Sequence, residues 1–154
     1  MTQEQYYRYV SALPLPLWLA MILAPRSRFT QRAARSSTIF VLMGSAYVVA
    51  LAAALRKGGP PPDFTSLAGL GQGFGTPEGA LGTWTHVLAL DLFTGAWIYR
   101  QSIRLRTPGW VRTLALIFTF VSGPLGLALF LLWRRLSGGP EALRGYPEGA
   151  VEAL

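Results

Sequence analysis

The chain predicts an all-α integral membrane protein with four transmembrane helices in a small bundle. Three observations lead there. Four apolar runs, each near the roughly 20 residues that cross about 30 Å of hydrocarbon, lie at about 7–24, 37–55, 82–99 and 111–133. Hydrophobic types form 51% of the 154 residues and mean hydropathy is +0.35, more than a soluble domain of this size needs. The basic residues gather in connections between apolar runs, the pattern of membrane orientation. The predicted organisation is one membrane domain over 1–136 and a weakly ordered, glycine- and proline-rich tail over 137–154.

The first run contains Pro14 and Pro16, which would break a helix in water. In a bilayer, neighbouring helices or waters can satisfy the freed carbonyls, so a kinked span is predicted. Ala24-Pro25-Arg26 at its end lacks a small-x-small cleavage pattern, which predicts a retained span and no cleaved leader. The second run is aliphatic and uncharged, with Gly44-Ser45-Ala46 as the expected helix contact face. The stretch 57–82 carries glycines at 69, 71, 73 and 75 that match no dinucleotide fingerprint, and it is expected to be a flexible or re-entrant loop. In the fourth run, Gly123-Pro124 interrupts the backbone ladder. It predicts either a packing kink or an opened carbonyl beside a ligand cavity.

Charge gives an orientation. The loops 25–36 and 100–112 hold eight arginines and no acids, and a four-span topology puts them on one side. The other side has six basic residues, including Arg134, Arg135 and Arg144. The count predicts both termini outside, and the arginine-, proline- and glycine-rich composition without cysteine points to a bacterial inner membrane. Trp18, Trp84, Trp97, Trp110 and Trp133 fall at or near span ends, as an aromatic belt requires. Absence of cysteine excludes disulfides, thiolate metal sites and cysteine nucleophiles. One histidine excludes a bis-histidine haem and a multi-histidine di-iron centre. No cofactor and no metal is expected, and the scattered charge excludes nucleic acid as a partner.

The third run carries the chemistry. Asp91 is the only acid within any apolar run, and His86 is the only histidine. A carboxylate at the bilayer centre costs about 2.5–3.5 kcal/mol on insertion scales, so such groups usually serve a function. A neutral acid with a neutral imidazole can protonate one atom of a substrate and take a proton from another. Asp91 and His86 are thus the candidate catalytic residues. Five residues turn a helix through about 140°, so they do not share a stripe. Gly95, one turn beyond Asp91, would let a helix or a ligand approach the carboxyl. Tyr47, Ser45, Thr119 and Ser122 are candidate hydrogen-bond partners. The plain alternative is that Asp91 bonds backbone opened by a proline kink and holds the bundle together.

The pattern Trp84-x-His86-x-Leu88-Ala-x-Asp91-Leu-Phe93-x-Gly95-x-Trp97-Ile98, followed by Gly123-Pro124-Leu125-Gly126, resembles the abscisic-acid-deficient-four-like family. Trp18-Leu-x-Met-Ile-Leu-x-Pro25 and Asp63-Phe-Thr-Ser-Leu67 are also similar to it. The resemblance implies a small four-span, neoxanthin-synthase-like membrane protein. Plant members are required in plastids to make neoxanthin from violaxanthin, an isomerisation that needs acid and base and no net electron transfer. It implies a carotenoid or other isoprenoid as ligand, with Trp84, Phe93, Gly95, Trp97, Gly123 and Pro124 as the candidate substrate-binding residues. A cofactor-free isomerase and an accessory factor for a partner enzyme both fit. So does a non-enzymatic pigment- or lipid-binding subunit, alone or as a homo-oligomer in the lipid bilayer. A proton-coupled transporter fits least, for want of an inverted repeat.

Overall fold

The computed structural model, which describes residues 2–56 and 63–137, is helical in every regular element, as predicted. The stretch 57–62 and the predicted weakly ordered tail beyond 137 lie outside the described residues. The first apolar run forms α1 (Gln3–Ala12) and α2 (Leu15–Leu23). Thr2 and Gln5 close a capping box at the start of α1. Leu13 (φ −56°, ψ −43°) and Pro14 (φ −78°, ψ −19°) both stay in the right-handed helical region, so α2 follows α1 through a proline joint. The short α3 (Arg28–Ala33) is capped by Ser27 and leads into α4 (Thr38–Arg56).

The described part of the predicted loop before the third run, from 63 onward, is largely helical instead. Asp63 accepts bonds from the Thr65 amide (2.8 Å) and hydroxyl (2.6 Å) and from the Ser66 hydroxyl (2.8 Å). Ser66 in turn caps α5 (Leu67–Phe74) by accepting from the Gly69 amide. Thr76 then caps α6 (Pro77–Arg104), whose first residue is a proline. These cap signals outweighed the glycine content. Two glycines here serve close packing: a β-carbon would stand 2.5 Å from Asp63 at Gly69 and 1.9 Å from the Gly73 carbonyl oxygen at Gly79, whereas Gly71 faces open space.

Helix α6 is the centre of the bundle and makes its most extensive contacts with α4 and with α7 (Gly109–Ser137). The α4 helix runs antiparallel to it, pairing Phe40 with Phe93 and Tyr47 with His86. The α1–α2 pair runs parallel, from Gln3 bonded to Glu78 at one end to the Tyr99 hydroxyl donating to the Pro25 carbonyl (2.5 Å) at the other. Trp18 is buried in this interface and is no belt residue. The Gly44-Ser45 surface, predicted as a contact face, is exposed, with nothing within 4 Å of a β-carbon placed on Gly44. Met43, Ala46 and Ala50 turn inward in its place.

The fourth run departs most from expectation. A β-carbon on Gly126 would lie 2.1 Å from the Thr119 hydroxyl and 2.3 Å from the Ala115 carbonyl oxygen. Seven residues of straight helix would hold positions 119 and 126 about 10.5 Å apart. Trp110 and Leu136 line one groove, although a straight helix would separate them by roughly 39 Å. Helix α7 is therefore a hairpin. Its arms, 109–121 and 123–137, reverse direction at Ser122, where φ is −156° and ψ 65°. Gly123-Pro124 begins a second helix, a position where proline's missing N–H costs nothing. Residues 2 and 137 consequently lie at opposite ends of the bundle, where four full crossings would have placed them at the same end.

By length and apolarity α4 and α7 each qualify to cross a membrane, but only α4 is extended enough to do so as a single rod. The outer surface suits lipid. Val41, Val48 and Val49 of α4 are each more than half exposed, while the interior holds Thr85 and Thr119. Both threonines donate to carbonyls of their own helices, Leu81 and Ala115, so neither hydroxyl is orphaned inside.

Candidate functional site

Asp91 sits midway along α6, half-buried, on the side facing the hairpin tip. Its carboxyl lies against the Gly123 backbone: a β-carbon there would fall 1.9 Å from Oδ1 and 3.2 Å from Oδ2. The Gly123 amide is the backbone group facing it. Because the chain reverses at Ser122, the second arm of α7 begins here with first-turn N–H groups that lack intrahelical acceptors. A carboxylate at that end meets the positive pole of the half-helix. The site joins the one acid of the apolar runs to a helix start in the middle of the bundle.

His86 is elsewhere. It is exposed, on the α4 side of α6, with its ring 5.5 Å from that of Tyr47. The two candidate catalytic residues thus face different neighbours and form no direct couple. The 140° turn between them already pointed that way. Trp84 donates from Nε1 to the Ser11 hydroxyl (2.9 Å) and stands beside Tyr7, on the wall of a groove of about 470 Å³ between α1 and α6. Phe93 meets Phe40 edge-on, and Trp97 meets Phe130 the same way.

Gly95 does admit a close neighbour, and that neighbour is protein. Trp18 fills the space, with its Cη2 only 2.2 Å from where a β-carbon would stand. Of the two neighbours the sequence allowed beside Gly95, a helix or a ligand, the structure shows the helix, α2. Of the anticipated partners of Asp91, Thr119 is committed to Ala115, Tyr47 stands at His86 and Ser45 is exposed. Ser122 is the hinge. Sequence reasoning noticed Gly-Pro as an interruption but missed the reversal, whose signal was a proline placed as the second residue of a fresh helix. Pro124 itself is exposed beside the tip.

A family profile described as ABA DEFICIENT 4-like matches residues 5–130. The chain belongs to the ABA DEFICIENT 4-like family. The match runs from α1 into the second arm of α7, so Asp91, Gly123 and the hairpin tip all lie within the family's region. The resemblance first carried by the third and fourth runs is the right one. Among curated proteins and solved structures, none matches this ABA DEFICIENT 4-like chain.

Proposed function

We propose that this ABA DEFICIENT 4-like chain is a neoxanthin-synthase-like membrane protein that isomerises a carotenoid or related isoprenoid, with Asp91 as the proton donor. The observation that carries the reading is the half-buried Asp91 carboxyl held against the start of the second α7 arm. In the reaction class the family implies, a proton reaches the epoxide oxygen, a carbon–oxygen bond breaks and a proton leaves carbon. An alcohol and an allene result, with no change in atoms or electrons. A preorganised acid whose conjugate base is stabilised by the Gly123 amide suits that first step. The separate surroundings of His86 favour Asp91 acting without it.

Two apolar grooves on the bundle surface suit a lipophilic chain, although Asp91 lines neither of them. One of about 350 Å³ runs between the α7 arms beside Trp110, Phe118 and Trp133; another of about 320 Å³ lies among α2, α3 and α4 beside Phe29. Both fall in the size range of small-molecule sites. For the membrane itself, we read three passes (α1–α2, α4 and α6) and a re-entrant hairpin. The hairpin adds Arg134 and Arg135 to the eight arginines of the two loops, against Arg8 and Arg56 among the described residues at the other end. That margin favours the arginine-rich end inside, with residue 2 outside.

One observation favours a second reading. A carboxyl that only caps the second arm would serve the fold of an accessory or pigment-binding subunit. Asp91→Asn separates the two, because an amide oxygen can still accept from Gly123 but the group no longer donates an acid proton. In a carotenoid-producing host, the wild type is expected to change the pigment profile and Asp91→Asn to abolish that change at equal levels of folded protein. A variant with the wild-type profile would leave Asp91 the capping role alone.

A further inference from the structure

The arginine-rich end contains a cavity that the reaction does not use. It lies where the turn after α2 meets the 105–108 turn and the start of α7, has a volume of about 430 Å³, and is lined by Arg26, Ser27, Thr107, Gly109 and Arg112 among others. No carboxylate lines it. Arg26 and Arg112 are close enough for their charges to act on each other. Thr107 is only 6% exposed, and its hydroxyl has no hydrogen-bond partner; the Arg112 Nε is likewise buried and unpartnered. Buried polar groups are ordinarily paired, so two orphans on one wall call for a missing acceptor or donor.

The surrounding backbone points the same way. The first intrahelical bond of α7 runs from the Arg112 amide to the Pro108 carbonyl (3.2 Å), leaving the amides of Gly109, Trp110 and Val111 without helical acceptors. Ser27 accepts from the Phe29 amide, so its hydroxyl proton remains available to donate. The opposite wall is fixed by the Tyr99 hydroxyl on the Pro25 carbonyl. Arginines that only set orientation need no walled cavity and no unpaired hydroxyl.

We infer that this cavity binds a phosphate group, held by the Arg26 and Arg112 guanidiniums, the Thr107 hydroxyl and the first-turn amides of α7. Guanidinium forks and a helix N-terminus are the two groups that proteins use most directly for phosphate. The cavity opens at the end of the passes, where lipid headgroups lie, beside the largely exposed Trp110. An anionic phospholipid headgroup and free phosphate share the chemistry.

The test is native mass spectrometry and thermal unfolding of the full chain in mild detergent, with added phosphatidylglycerol or inorganic phosphate. Wild type is compared with Arg112→Gln, Thr107→Val and, as a charge control at the other end, Arg56→Gln. Arg112→Gln should weaken about tenfold the affinity fitted to retention or to the ligand dependence of the melting temperature, the effect of losing one charge-assisted bond of about 1.4 kcal/mol, and Arg56→Gln should leave it unchanged. Thr107→Val keeps the shape and removes an unpaired hydroxyl, so it should fold as well as wild type yet bind more weakly. It carries the test if Arg112→Gln does not fold. Retention of phosphatidylglycerol alone assigns a headgroup site; a response to inorganic phosphate assigns free phosphate. Equal responses in wild type, Thr107→Val and Arg112→Gln, or no response in any, overturn the proposal.

Discussion

Asp91 and Gly123 touch across the α6–α7 interface so closely that no β-carbon fits at position 123. Gly123→Ala must push the carboxyl away or shift the hairpin tip. The clash is with the end of a side chain and not with backbone, so the loss should fall at the low end of the about 1–3 kcal/mol that overpacking costs. Thermal unfolding in detergent should register that loss. If Asp91 is the proton donor, pigment conversion should fall further than stability does. Conversion that tracks the folded fraction alone would mean the contact is structural.

Trp18 and Gly95 form a second such pair, and here coupling is measurable. Trp18→Ala should cost about 3–5 kcal/mol, as for other buried tryptophans. Gly95→Ala should also destabilise, since its methyl meets the indole. In the double variant the two losses should fall short of their sum, because the space left by the indole admits the methyl. Additive losses would show that the pair does not pack as described.

The absence of native cysteine makes the topology simple to probe. Single cysteines replacing Ser27 and Ser137 should react with a membrane-impermeant thiol reagent from the same side, and one replacing Thr2 from the opposite side. Labelling of position 137 together with position 2 would restore a fourth crossing and remove the hairpin.

His86→Ala should leave the pigment profile close to wild type, because the ring stands with Tyr47 away from the hairpin tip. Chromatography of host pigments checks this. Loss of conversion in well-folded His86→Ala would return the histidine to the reaction.

Asp63 is held below the usual carboxylate value of 3.8 by the Thr65 hydroxyl, the Thr65 amide and the Ser66 hydroxyl. Its contribution to the α5 start is therefore full above 3.8 and fades as pH falls through the lower folded value. The Thr65 amide chemical shift, followed from neutral pH downward, should titrate below 3.8. In Asp63→Asn that titration should vanish.

The helical class, the apolar runs, the unusual Asp91 and the family were all legible in the sequence, because each depends on composition or local spacing. Hydropathy marks which segments avoid water whatever they pack against, and a carboxyl in such a segment stands out by cost alone. The separation of His86 from Asp91 was also readable, since 3.6 residues per turn fixes it. Tertiary packing decided the rest. Whether Gly123-Pro124 kinks one helix or starts another depends on what the second arm can bury, and Gly126 against Thr119 and Ala115 gives it that contact. Which residue fills the space beside Gly95 likewise depends on α2 lying alongside α6. Local pattern states where a backbone can bend, but only contacts between distant segments set how far it does.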